Sequence, residues 1–142
     1  MTEETVIEEL NTILRGTYMG IRSLEHYIQK VDDLELKINF QSMQQEVKLN
    51  ALKVAERIQN LGGVPADDEG VSGSMHSFMH KMMLSDDKKK IIKDALEGVE
   101  KYGVHYSEEL VKGDLDPTSK QIVEDVIDSN RRHTETLKHL LD

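Results

Sequence analysis

The chain has 142 residues, no cysteine and two prolines, with 32% charged against 37% hydrophobic residues and a formal net charge of -9. Without thiols there is no disulfide framework, no thiolate metal site and no cysteine nucleophile. The acidic balance argues against nucleic acid and against anionic membrane surfaces, both of which select a basic face. The length suits one domain over residues 1–142 with a core of useful size. Prolineless stretches rich in Leu, Glu, Lys and Gln favour helices throughout. The opening "MTEETVIEELN" lacks the basic and apolar regions of a secretory leader. No run approaches the ~18–20 apolar residues that cross a bilayer. A soluble, cytoplasmic protein is therefore expected.

The spacing predicts a first helix from Thr2 or Glu3 to Val31. Its seam is Leu10, Leu14, Thr17, Ile21, Leu24, Ile28 and Val31, alternating steps of four and three as in a helix packed against near-parallel neighbours. Asp32 and Asp33 form a turn and cap the second helix, which runs over about Leu34–Leu61. There the stripe is Leu36, Phe40, Met43, Val47, Val54, Ile58 and Leu61, with Asn50 inside it and Glu46 on its edge. "LGG" followed by Pro65 stops it.

From Gly62 to about Asp87 the chain reads as a connection, within which "SMHSFMHKMML" forms a short helix. So long a link is more than a hairpin needs and enough for a crossover along a bundle. Ser85, Asp86 and Asp87 are capping candidates for a third helix to about Lys112, with Ile92, Ala95, Val99, Tyr102, Tyr106 and Leu110 on its inner side. "KGDLDP" closes it and opens the fourth, with Asp116 as cap and Pro117 in the first turn. Val123, Val126, Asn130, His133, Leu137 and Leu140 are the fourth seam. Two hairpins joined by a long crossover give an all-α, up-down-down-up four-helix bundle, with the short extra helix on the crossover between helices 2 and 3.

Asn130 and His133 occupy core-facing positions where apolar residues belong. With Glu46 and Asn50, they should share one layer of the core. An ionised Glu there needs a cation, a protonated partner or water.

The motifs "LNTIL", "QQEVKL", "NLGGVP", "KYGVHY" and "NRRHTETL" resemble, over nearly the whole chain, the ferritin-like superfamily of bacterioferritins and rubrerythrins. Within it the likeness is to a bacterial ferritin-like family of unknown function, as found in bacillar sigma-B stress operons. The resemblance implies a ferritin-like bundle, a stress-related role and a di-iron carboxylate layer. That layer has a Glu on each of two helices and a Glu-x-x-His pair on each of the others. Matched in that way, the first helix offers Thr17 or Ile21 in place of Glu. The second keeps Glu46, with Leu49 at the His position. The third offers Val99, with Glu97 and Glu100 beside the seam. The fourth keeps His133, with Asn130 replacing Glu. The candidate metal residues are thus Glu46, Asn130 and His133, with Glu25 and Glu100 one helical step from the seam as substitutes.

Three functions follow. The first is a ferritin-like protein with a degraded or altered metal site, whose polar layer is structural. The second is an active iron-binding protein that stores or oxidises iron, ferroxidase-type activity being the only enzymatic candidate on an incomplete ligand set. The third is an interaction module that docks through the Met-rich crossover. There, His76 and His80, four apart and flanked by Met75, Met79, Met82 and Met83, are a separate metal candidate. No cofactor is required by the first reading; iron or another divalent metal is required by the second. The expected partner is a second copy of the chain, as a homodimer or higher homo-oligomer, without nucleic acid or membrane.

Overall fold

The computed structural model describes residues 3–68, 87–113 and 115–142. Helix α1 spans Glu3–Lys30, acidic in its first turn and basic in its last, as the helix dipole favours. Leu10, Leu14, Thr17, Leu24 and Ile28 are buried along it, following the four-three spacing. Helix α2 covers Leu34–Asn60. Its cap is Asp33, whose carboxylate accepts the Leu36 amide at 2.9 Å. Gly62 takes a φ of 87°, the left-handed stop that a side chain would resist. Just beyond, Asn11 of α1 donates to the Val64 carbonyl at 3.2 Å and accepts from the Ala66 amide at 2.7 Å, tying the chain down as it leaves α2.

The third rod of the bundle is built from three pieces. Helix α3 is Lys88–Gly98, capped by Asp87. A π-helical stretch, Val99–His105, follows, and then helix α4, Tyr106–Val111. Helix α5 spans Pro117–Leu141, with Asp116 as its cap and Pro117 in its first turn. The π turns hold an extra residue, which rotates everything after them. Of the expected inner line, Tyr102 reaches the central cavity and Leu110 packs half-buried on the core, but the deepest positions are others. Val104 and Ser107 are buried, and Tyr106 borders the cavity while 48% exposed.

The directions of the rods follow from where their ends meet. Lys88 Nζ lies 2.9 Å from Asp33 Oδ2, so the third rod starts at the α1–α2 turn. Arg57, late in α2, lies 2.7 Å from Asp116 Oδ2 and donates through Nε to Ser119 Oγ at 3.0 Å, so α5 starts at the other end. The order is up-down-down-up, with α1 along α2 and α5 along the third rod. The chain between Asp68 and Asp87 connects opposite ends of the bundle. The expected short helix there, with His76, His80 and the methionines, lies outside the described residues. Among the described residues there is no strand, and no helix is long and apolar enough to cross a membrane.

The core divides in two. One half gathers Leu24, Tyr27, Phe40, Met43, Ile92 and Leu137, with the Tyr27 and Phe40 rings stacked at 5.4 Å. The other gathers Leu10, Leu14, Val54, Ile58, Val104 and Val123. Between them lie the buried polar residues Thr17, Asn50, Ser129 and His133.

Candidate functional site

The middle of the bundle holds a cavity of about 80 Å³. Each rod contributes to its wall: Gly16, Thr17 and Gly20 from α1, Val47 and Asn50 from α2, Val99, Tyr102 and Gly103 from the π-helix, Asn130 and His133 from α5. The position three before Asn50 that faces inward is thus Val47, not Glu46. Leu49, matched above to a histidine ligand, is 58% exposed on the outside of α2. The Glu-x-x-His register taken from the sequence is off by one residue on this helix: the pair that faces the cavity is Val47-x-x-Asn50.

Glu46 nevertheless reaches His133, from the flank between α2 and α5. Its Oε2 stands 3.3 Å from His133 Nε2, with the Glu46 side chain 38% and the His133 side chain 7% exposed. That approach is not aligned for a hydrogen bond, and the buried Nε2 finds no other partner among the described residues. The strong contacts of Glu46 are elsewhere. Ser129 Oγ donates to Oε1 at 2.7 Å, and Arg132 donates to the same oxygen at 2.8 Å. Asn50 Nδ2 in turn donates to Ser129 Oγ at 3.1 Å, completing a chain from the cavity wall to the surface. The Ser129 hydrogen bond, with Arg132 and His133 behind it and burial opposing them, holds the Glu46 carboxyl down to about 2. Burial pushes His133 below its ordinary value, and the pull of Glu46 does not compensate. At neutral pH the imidazole is uncharged, so Ser129 and Arg132, rather than an imidazolium, keep Glu46 ionised.

The remaining candidates are scattered. Asn130 turns to the third rod, donating to the Gly103 carbonyl at 2.9 Å. A Cβ on residue 103 would lie 3.0 Å from that amide nitrogen, so glycine is what lets Asn130 close on the π-helix. Glu25 is exposed on α1 and bound by Gln44 at 3.1 Å and Gln29 at 2.8 Å. Glu100 sits on the outer side of the π-helix with Lys93, Glu97 and Lys101. Neither approaches the cavity wall. Among the described residues, no three His, Cys, Asp or Glu side chains converge as metal ligands. Ser129 and Arg132 were missed in the sequence. Ser129 carries no signal beyond lying one residue before Asn130, and Arg132 lies off the four-three seam.

A dinuclear iron centre calls for four carboxylates and two imidazoles, because the carboxylates neutralise and bridge the metals. The cavity wall supplies one imidazole and, among the described residues, no carboxylate. The nearest carboxylate is already neutralised by a guanidinium. The donor set does not fit that centre.

No curated protein sequence matches the chain. Several solved structures share its fold. A ferritin-like, diiron-carboxylate protein from Bacillus anthracis is 23% identical, with all of both chains covered and a TM-score of 0.78. The bacterioferritin-related protein of Bacteroides fragilis, described as a dodecameric thioferritin, is 16% identical, with 99% of this chain and 86% of that one covered and a TM-score of 0.80. A protein from Anabaena variabilis, with DJ-1/ThiJ/PfpI-like and ferritin-like domains, is 22% identical with a TM-score of 0.80; 99% of this chain matches 40% of that one. These likenesses establish a ferritin-like helical bundle. Through a match over residues 5–113, the chain belongs to the family described as Domain of unknown function (DUF2383).

Proposed function

We propose that this chain is a cytoplasmic, self-associating ferritin-like protein with a stress-related role, which works without a dinuclear iron centre. Its ligand layer is replaced by a hydrogen-bonded network of Glu46, Arg132, Ser129 and Asn50, with His133 beside it. One observation carries the reading: the inward-facing positions present Val47, Asn50, Asn130 and His133 where bound iron would need carboxylates. Self-association is supported by the fold shared with the dodecameric relative. The stress-related role is supported by the resemblance of its motifs to the ferritin-like proteins of bacillar stress operons.

The test is elemental analysis of protein purified without added metal, followed by iron(II) titration in air. The expected result is metal far below one equivalent per chain and no oxygen-dependent absorbance. The melting temperature should also be unchanged by chelator, because a ligand that binds the folded state would raise it by mass action. Stoichiometric iron with an oxygen-dependent absorbance band would overturn the proposal in favour of an iron-storing or iron-oxidising protein.

A further inference from the structure

Helix α2 is apolar on two sides. Leu36, Phe40, Met43, Val47, Val54 and Ile58 are buried in the bundle. At about 100° per residue, Leu34, Ile38, Leu49 and Leu52 fall on one narrow line on the opposite side. They are 70%, 55%, 58% and 66% exposed. The other large hydrophobics exposed among the described residues, Val64 and Tyr106, lie elsewhere. An exposed apolar patch rimmed by polar residues marks an interaction site.

We propose that this outer stripe is a two-fold self-association surface, against which α2 of a second copy of the chain packs antiparallel. It deepens the self-association proposed above by naming the surface. The stripe is self-complementary. Read inward from one end it runs Leu34, Ile38, Gln41; read inward from the other it runs Leu52, Leu49, Gln45. Two antiparallel copies centred between Met43 and Gln44 set Leu34 opposite Leu52, Ile38 opposite Leu49, and Gln41 opposite Gln45, each pairing made twice. An isologous interface requires this property, because one patch must match itself under the two-fold. The charges agree. Glu35 and Lys53 are exposed on the same edge of the stripe, so the two-fold brings Glu35 of each copy to Lys53 of the other. The opposite edge brings Lys37 toward Lys48, an unfavourable approach that water and salt screen.

The chain has no cysteine, so one introduced thiol is unambiguous. Gln45→Cys sits close to the two-fold and is expected to form a disulfide-linked pair under mild oxidation. Leu52→Cys lies about 25 Å from its own copy across the two-fold; it should stay unlinked alone and pair when mixed with Leu34→Cys. In sedimentation velocity, wild-type protein should self-associate. The double variant Leu49→Glu/Leu52→Glu should weaken association at least about tenfold with an unchanged helical spectrum. Glu35→Lys should also weaken it, and adding Lys53→Glu should restore it. Association that survives Leu49→Glu/Leu52→Glu overturns this surface while leaving self-association standing. A wild-type protein that stays monomeric at all concentrations overturns both.

Discussion

Ser129 is the residue on which the polar layer turns. Its hydroxyl accepts from Asn50 and donates to Glu46, and it is 2% exposed. Removing it strands the Asn50 amide, 5% exposed, whereas Glu46 keeps Arg132 and solvent; a buried polar group left unpaired costs about 1–3 kcal/mol. Ser129→Ala is therefore expected to destabilise by that amount in urea unfolding; a change below about 0.5 kcal/mol would show that water replaces the hydroxyl. His133 gives the opposite expectation, although its position drew attention first. Its Nε2 is already without an aligned partner, and Glu46 keeps Ser129 and Arg132 when the imidazole goes. His133→Leu should then cost less than ~1 kcal/mol, since nothing is newly orphaned. Tyr27→Phe belongs with it. The buried Tyr27 hydroxyl has no hydrogen-bond partner among the described residues, and burial, with Asp94 and Glu97 adding to it, pushes the phenol well above its ordinary value. The ring stacked on Phe40 survives the change, so stability should hold or rise. A loss greater than ~1 kcal/mol would point to a bound water or ligand on that oxygen.

At the scale of the elements, Asn130 of α5 ties that helix to the π-helix through its hydrogen bond to the Gly103 carbonyl, beside the packing of Val104 on Val123. Gly103→Ala should gain about 1 kcal/mol of helix propensity but force the Asn130 side chain away and break that bond, at about 1–3 kcal/mol. A net loss near 1 kcal/mol is expected. In an Asn130→Ala background the obstruction is gone, and the same substitution should become stabilising. Equal effects in both backgrounds would refute the coupling. The ends of α1, α2 and α5 were legible in the sequence because caps are local chemistry: Asp33, Gly62, Asp116 and Pro117 act within one turn of where they stand. The π-helix was not, since a turn with an extra residue has no composition of its own. That one residue is why Val104 and Ser107 are buried while Tyr106 is left half-exposed at the cavity rim. The register of the site on α2 failed for a related reason. Glu46 lies on the edge of the stripe and enters the ligand layer only through the resemblance, whereas Asn50, on the four-three stripe with Val47, marks the inner face. The outer stripe of Leu34, Ile38, Leu49 and Leu52 adds no periodicity of its own to a helix whose buried seam already satisfies the four-three pattern.

For the molecule as a whole, the polar layer makes stability depend on pH in two separable steps. The folded state holds His133 below its ordinary value of 6.5, chiefly by burial. A proton therefore prefers the unfolded chain, so this group's contribution is complete above about pH 6.5 and is lost as the pH falls below it. Glu46 is held at about 2 against an ordinary 4.5, first by Ser129. Its contribution is complete above 4.5 and is lost between there and about 2, again because the unfolded state takes the proton first. Both steps run the same way, so acidification destabilises throughout. In a chain with 27 Asp and Glu, each step is read as a difference between wild type and a variant. His133→Leu should flatten the decline below pH 6.5 and leave the lower one. Glu46→Gln should remove part of the decline below 4.5, a modest part because water screens a carboxylate that is 38% exposed. The measurement is melting temperature against pH, from 8 to 3 (roughly the span of both transitions). If the wild-type and His133→Leu curves ran parallel down to pH 5, the imidazole would titrate as an exposed one does, and the buried, uncharged His133 of the central layer would have to be abandoned.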